Sequence, residues 1–180
     1  MRPIILWITI FVVFTFGINS QTKKINTDFI SGEIGIGESL YKEIKSKNLI
    51  LFLEMPYINK EIKTFSLKSK MNLEYINSGT DNTLLIGFVP FATYNFSIDN
   101  YHLFIKGGIG ANYISSHKIG TRNLGGHFIF SDMISLGIEL FALTNYKMEI
   151  SYLFRHISNA GLYKENEGFN SQYILINFAI

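Results

Sequence analysis

The sequence predicts an all-β fold, an eight-stranded antiparallel up-and-down transmembrane β-barrel with a filled polar interior. Three observations carry that expectation. Beyond residue 20 there is no run of about 18 apolar residues, so no transmembrane helix is expected. The chain is nonetheless rich in aromatic side chains, with 16 Phe and 10 Tyr, which suits the girdles of a membrane barrel. It also divides into eight stretches in which apolar and polar residues alternate, the period of a strand with two unlike faces. Eight, an even number, is the smallest membrane barrel.

The N-terminus reads as an export signal. Arg2 precedes an apolar run from Ile4 to Phe16, and Gly17-Ile18-Asn19-Ser20 follows. That run is too short to span a bilayer, which takes about 20 residues. Residues 1–20 are therefore expected to be a signal peptide, and residues 21–180 a single barrel domain. A net charge of +2 gives no sign of nucleic-acid binding. With no Cys, disulfides and thiolate metal sites are excluded, and no cofactor is implied.

After a polar lead-in over 21–27, the strands follow in order. Ile30, Ile34 and Ile36 alternate with Ser31, Glu33 and Gly35 to give the first, and 38–47 is a charged loop. Leu49, Leu51, Leu53 and Met55 define the second, which should end near Pro56, with a turn over 58–64. Leu67, Met71, Leu73 and Tyr75 against Lys68, Lys70, Asn72 and Glu74 give the third, closed by the turn Ser78-Gly79-Thr80-Asp81-Asn82. The fourth spans roughly 83–96, and Pro90 within it implies a bulge or an edge. Ile98-Asp99-Asn100 turns the chain into the fifth, whose apolar face runs from Tyr101 to Tyr113. Twelve steps of about 3.3 Å, tilted by roughly 40°, separate those two rings by about 30 Å along the membrane normal. Residues 115–126 form a polar loop. Ile134, Leu136, Ile138 and Leu140 mark the sixth strand, and Thr144-Asn145 turns into the seventh, 147–158. A loop over 159–169 leads to the eighth, with Ile174, Ile176, Phe178 and Ile180 facing outward.

The polar parities hold Glu33, Glu54, Glu74, Glu139 and Glu149 together with Lys68, Lys70, Lys106, Lys147 and Arg155. Eight strands leave room for side chains only, so these balanced charges are expected to pair inside the barrel rather than line a pore. The rival arrangement is a soluble barrel of lipocalin type, with its apolar faces turned inward around a lipid ligand.

In the seventh strand Met148, Ile150, Tyr152 and Phe154 share one parity, and the next residues on it are His156 and Ser158. Residues i and i+2 of a strand lie on one face about 6–7 Å apart, so a base and a hydroxyl stand side by side. Two readings fit: a strand end emerging into water, or a Ser–His hydrolase whose substrate arrives through a membrane. Other candidates are weaker. His102 has lumen parity, His117 and His127 lie in or near a loop, and no pair has metal-ligand spacing. Gly107-Gly108-Ile109-Gly110 lacks the strand-to-helix context of a phosphate loop.

The run Arg155-His156-Ile157-Ser158-Asn159-Ala160-Gly161-Leu162, with Asn166 and Gly168 downstream, resembles the signature of the lipid A 3-O-deacylase (PagL), or acyloxyacyl hydrolase-like, family. Asn123 to Phe130 resembles the segment before that family's sixth strand, and the similarity covers about 60 residues in all. The resemblance implies an outer-membrane barrel that removes an ester-linked hydroxyacyl chain from lipid A of lipopolysaccharide. It implies Ser158 as nucleophile and His156 as its base. Asn170 stands where the resemblance would place Glu. It shares the outward parity of Ile174 and Ile176, and an Asn can orient an imidazole but cannot stabilise imidazolium by charge. Glu165 and Glu167 are substitute acids. The backbone amides of Asn159, Ala160 and Gly161, or the Asn166 side chain, would hold the oxyanion. Partners expected on this basis are lipopolysaccharide and the outer membrane, with no nucleic acid, and a homodimer is compatible with the architecture. A catalytically weak or silent barrel with a structural or adhesion role is the alternative.

Overall fold

A computed structural model describes residues 31–62, 64–143 and 146–179. The expected signal peptide, the lead-in, Ile30, the Thr144-Asn145 turn and Ile180 lie outside them. Among the described residues there are ten strands: β1 Ser31–Ser39, β2 Lys47–Ile62, β3 Phe65–Asn77, β4 Asn82–Ile98, β5 Tyr101–Ile114, β6 Lys118–Ile119, β7 Arg122–Asn123, β8 Phe128–Leu143, β9 Tyr146–Ser158 and β10 Phe169–Ala179. Eight close into an antiparallel barrel in the order β1-β10-β9-β8-β5-β4-β3-β2, and β6 and β7 form a short hairpin in the loop before β8.

The apolar parities face out and the charged ones face in, which overturns the soluble barrel with an apolar interior. Ile36, Ile134 and Leu136 are more than half exposed, as are Tyr101 and Tyr113 at the two ends of β5. All ten charges assigned to the lumen are paired there. Glu33 meets Lys70 at 2.7 Å and Lys106 at 2.6 Å, and Lys106 and Lys147 meet Glu149 at 3.0 and 2.8 Å. Lys147 also meets Glu139, Lys68 meets Glu54, and Arg155 bonds Glu74. His102 keeps lumen parity but is exposed at the barrel mouth, where Nδ1 lies 2.9 Å from Ser97 Oγ.

Charge fills only part of the tube. Ile50, Phe52, Val89, Phe91, Met133, Leu153, Tyr173 and Leu175 form an apolar cluster within it. A second cluster, including Ile44, Ile119, Leu124, Ile157 and Phe169, packs beneath the longer loops. Along β9 the inward residues run Glu149, Ser151, Leu153, Arg155, Ile157, all buried, so polar and apolar layers alternate up the lumen. The charges of the polar layers are paired, while Asn72 and the Nε of Arg155 are buried without a hydrogen-bond partner among the described residues.

Two expectations about strand ends are corrected. β2 continues past Pro56 to Ile62, over most of the expected turn. Proline has no N–H for the ladder, and the chain absorbs it as an irregularity in the β2–β3 register between Met55 and Asn59. Pro90 produces neither an edge nor a register shift. It pairs with Ser69 on β3, while the β4–β5 ladder skips from Phe88 to Phe91. A closed barrel has no edge, so the missing donor costs only a local gap.

Candidate active site

The end of the barrel that carries the longer connections, 40–46, 115–127 and 159–168, also carries the end of β9. There His156 and Ser158 are both half-buried on the outward face. The alternation continues unbroken from Tyr152 through Phe154, so the same pleat that turns Arg155 and Ile157 inward turns these two outward. In the β9–β10 register His156 faces Asn170, and their side chains bond, Nδ1 to Oδ1, at 2.6 Å. An amide oxygen only accepts, so Nδ1 carries the proton and Nε2 keeps its lone pair. That is the tautomer a general base needs.

The tip of the ring lies against Gly168. A Cβ there would come within 2.8 Å of His156 Cε1, and the backbone has φ +65. Only glycine meets both conditions without strain. Ser158 follows one pleat repeat along. Among the described residues no hydrogen bond joins its hydroxyl to the imidazole, a separation common before substrate binds.

Asn159 is fully buried and ties down the loop that begins after Ser158. Its Nδ2 donates to the carbonyls of Leu124 at 2.7 Å and Glu165 at 2.5 Å, and its Oδ1 accepts the Gly161 N–H at 2.8 Å. Its own N–H donates to Asn166 Oδ1 at 2.9 Å. Two of the expected oxyanion donors, the amides of Asn159 and Gly161, are thus spent inside the loop. Ala160, held at φ 52, and the Nδ2 of Asn166 have no partner among the described residues.

Neither substitute acid is brought to the imidazole. The Glu167 carboxylate accepts the Asn123 N–H, and its carbonyl accepts from Arg122. Glu165 lies in an exposed segment and uses its carbonyl to hold Asn159. Glu167 ties the β9–β10 loop to the β6–β7 hairpin, whereas Glu165 braces the loop internally. Gly126 completes that junction, with the ring of Tyr163 lying where a Cβ would be.

Two features escaped the sequence. Phe130 pairs with Ser158 across β8–β9 and meets Phe128 edge-on at 5.4 Å, an aromatic wall beside the hydroxyl. Asp132 pairs with His156 in the same register and is exposed on the face it shares with Ile134 and Leu136. Its signal was present, a charge interrupting the apolar parity of the sixth strand. Among the described residues no group of three His, Asp or Glu could hold a metal ion.

Comparison with known proteins gives the family and the fold. The family model described as lipid A 3-O-deacylase (PagL) matches residues 51–179. Lipid A deacylase PagL of Pseudomonas aeruginosa is 33% identical over 95 residues, 53% of each protein. The chain thus matches about half the length of that curated relative. The crystal structure of the outer membrane enzyme PagL superposes with a TM-score of 0.64 at 23% identity, covering 83% of this chain and 97% of that one. Neisserial surface protein A (NspA) gives a TM-score of 0.55 at 10% identity over 84% and 94%, a likeness of fold alone. With more than half its length matched by the family model, the chain belongs to the lipid A 3-O-deacylase (PagL) family.

Proposed function

We propose that this outer-membrane barrel is a serine esterase that removes an ester-linked hydroxyacyl chain from lipid A in the outer leaflet. The observation that carries the reading is the outward pair of His156 and Ser158, with the imidazole already oriented by Asn170 at 2.6 Å. The substrate is itself a membrane lipid, so a site on the lipid-facing wall needs no channel. The lumen, filled by paired charges and apolar layers, offers none.

Ser158 Oγ attacks the acyl carbonyl while His156 Nε2 takes its proton. The oxyanion that forms lies toward the Ala160 N–H and Asn166 Nδ2, the two of the expected donors that carry no other bond among the described residues. Collapse expels the sugar oxygen, which takes the proton back from His156. Water, activated by the same imidazole, then releases the fatty acid from Ser158. The Phe128–Phe130 wall gives the acyl chain an apolar surface to lie along. The site ends at the outer face because the longer connections of such barrels are extracellular.

The test is incubation of the purified barrel with lipopolysaccharide, followed by fatty-acid release and the mass of the remaining lipid A. Wild type should lose one hydroxyacyl chain. Ser158→Ala and His156→Ala should each fall by about 10⁴-fold or more while the barrel stays folded. Undiminished release by Ser158→Ala overturns the mechanism.

A further inference from the structure

We propose that Asp132 supplies the negative charge that His156 needs as it becomes cationic, a positioning role that Asn170 fills only in part. This inference rests on the esterase reading and concerns how the same imidazole is served. The ring has a neighbour on each side at one level of the sheet. Asn170 faces it across β9–β10, and Asp132 faces it across β8–β9. Directly opposed residues of an antiparallel pair have Cβ atoms about 4.5–5.5 Å apart, which puts the carboxylate within side-chain reach of the ring.

The surroundings of Asp132 give it no structural duty. It interrupts a stripe in which Ile134 is 58% and Leu136 57% exposed, on a wall that faces lipid. The ten lumen charges are all paired, yet among the described residues no cation pairs with Asp132. A carboxylate on the lipid face of a barrel strand is unfavourable, and it is retained where function uses it. Among the described residues, the group opposite it in the register that acquires positive charge is the imidazole, once Ser158 has given up its proton. Asn170 fixes the tautomer through a neutral hydrogen bond. Asp132 then completes the site from the other side of the ring, so the orienting group and the charge sit on different strands.

The experiment compares wild type, Asp132→Asn, Asn170→Glu and the double variant, all reconstituted with lipopolysaccharide. Asp132→Asn, which preserves shape, should lower kcat by about 100-fold with KM unchanged, the scale of removing one group aimed at developing charge. In the double variant the charge returns from β10, and kcat should recover to within about tenfold of wild type. Asn170→Glu alone should gain only a few-fold, because a charge is already in place. Wild-type kcat in Asp132→Asn overturns the proposal, and so does a loss that Asn170→Glu fails to rescue, which marks a merely structural residue. A second readout, the rate at which a serine-directed phosphonate labels Ser158, separates this from the lipid A reading. If wild type labels but leaves lipopolysaccharide intact, the substrate reading fails and Asp132 is judged on labelling rates alone. If wild type neither labels nor cleaves, both fall.

Discussion

Gly168→Ala isolates the positioning of the imidazole from everything else in the site. Two costs arise from the geometry. At φ +65 an L side chain is disfavoured by about 1–2 kcal/mol. The new Cβ would also lie 2.8 Å from His156 Cε1, where an ordinary carbon contact is about 3.5–4.0 Å. The ring must retreat by roughly 1 Å, and a misplacement of that size costs about 100-fold in rate. Gly79→Ala is the control, since it has φ +85 with nothing within 4 Å and lies in a different loop. Both variants should lose about 1–2 kcal/mol in urea unfolding. Only Gly168→Ala should lose kcat. Unchanged turnover in Gly168→Ala, or an equal loss in Gly79→Ala, would refute the claim that the ring is held against Gly168.

The lumen and the oxyanion site give further expectations. Glu74→Gln strips a buried Arg155 of its carboxylate and should cost about 3–5 kcal/mol in urea unfolding, as breaking a buried pair does. Lys147→Met, whose side chain is 38% exposed at the lumen mouth, should cost less than about 1 kcal/mol. Equal effects would show that the layered interior is not what holds the barrel. Asn166→Ala removes the Nδ2 donor and should lower kcat by about 100-fold with little change in KM. The same loss appearing in KM alone would move Asn166 from the oxyanion to ground-state binding.

Much of this was legible in the sequence because a barrel strand repeats every two residues. Parity alone put Ile34, Ile134 and Ile174 outside, and Glu33, Lys106 and Arg155 inside, and all three inward charges are paired where expected. The same rule placed His156, Ser158 and Asn170 on one face, and the register then brought His156 and Asn170 together. Parity says nothing about three-dimensional order within a face, so the apolar layer of Phe52, Phe91 and Leu153 between charged layers was not visible. Nor could it show that Asn159 is a loop clamp, since its partners Leu124 and Glu165 meet only when two loops fold together. Glu167 reads as an available acid from sequence because its bond to Asn123, 44 residues away, has no local signature. Asp132 is the instructive omission. A charge on an apolar stripe reads as an irregularity until the β8–β9 register sets it beside His156.

The account depends on position 158 opening to lipid rather than to the lumen, and the chain's lack of Cys makes that directly measurable. Single cysteines at Ser158, Ile134 and Ser151 would carry a fluorophore in bilayers containing spin-labelled lipid. Ile134 reports the outer wall, and Ser151, 7% exposed, the interior. The fluorophore at 158 should be quenched as strongly as the one at 134. A label at 158 that stays as bright as the one at 151 would contradict the account.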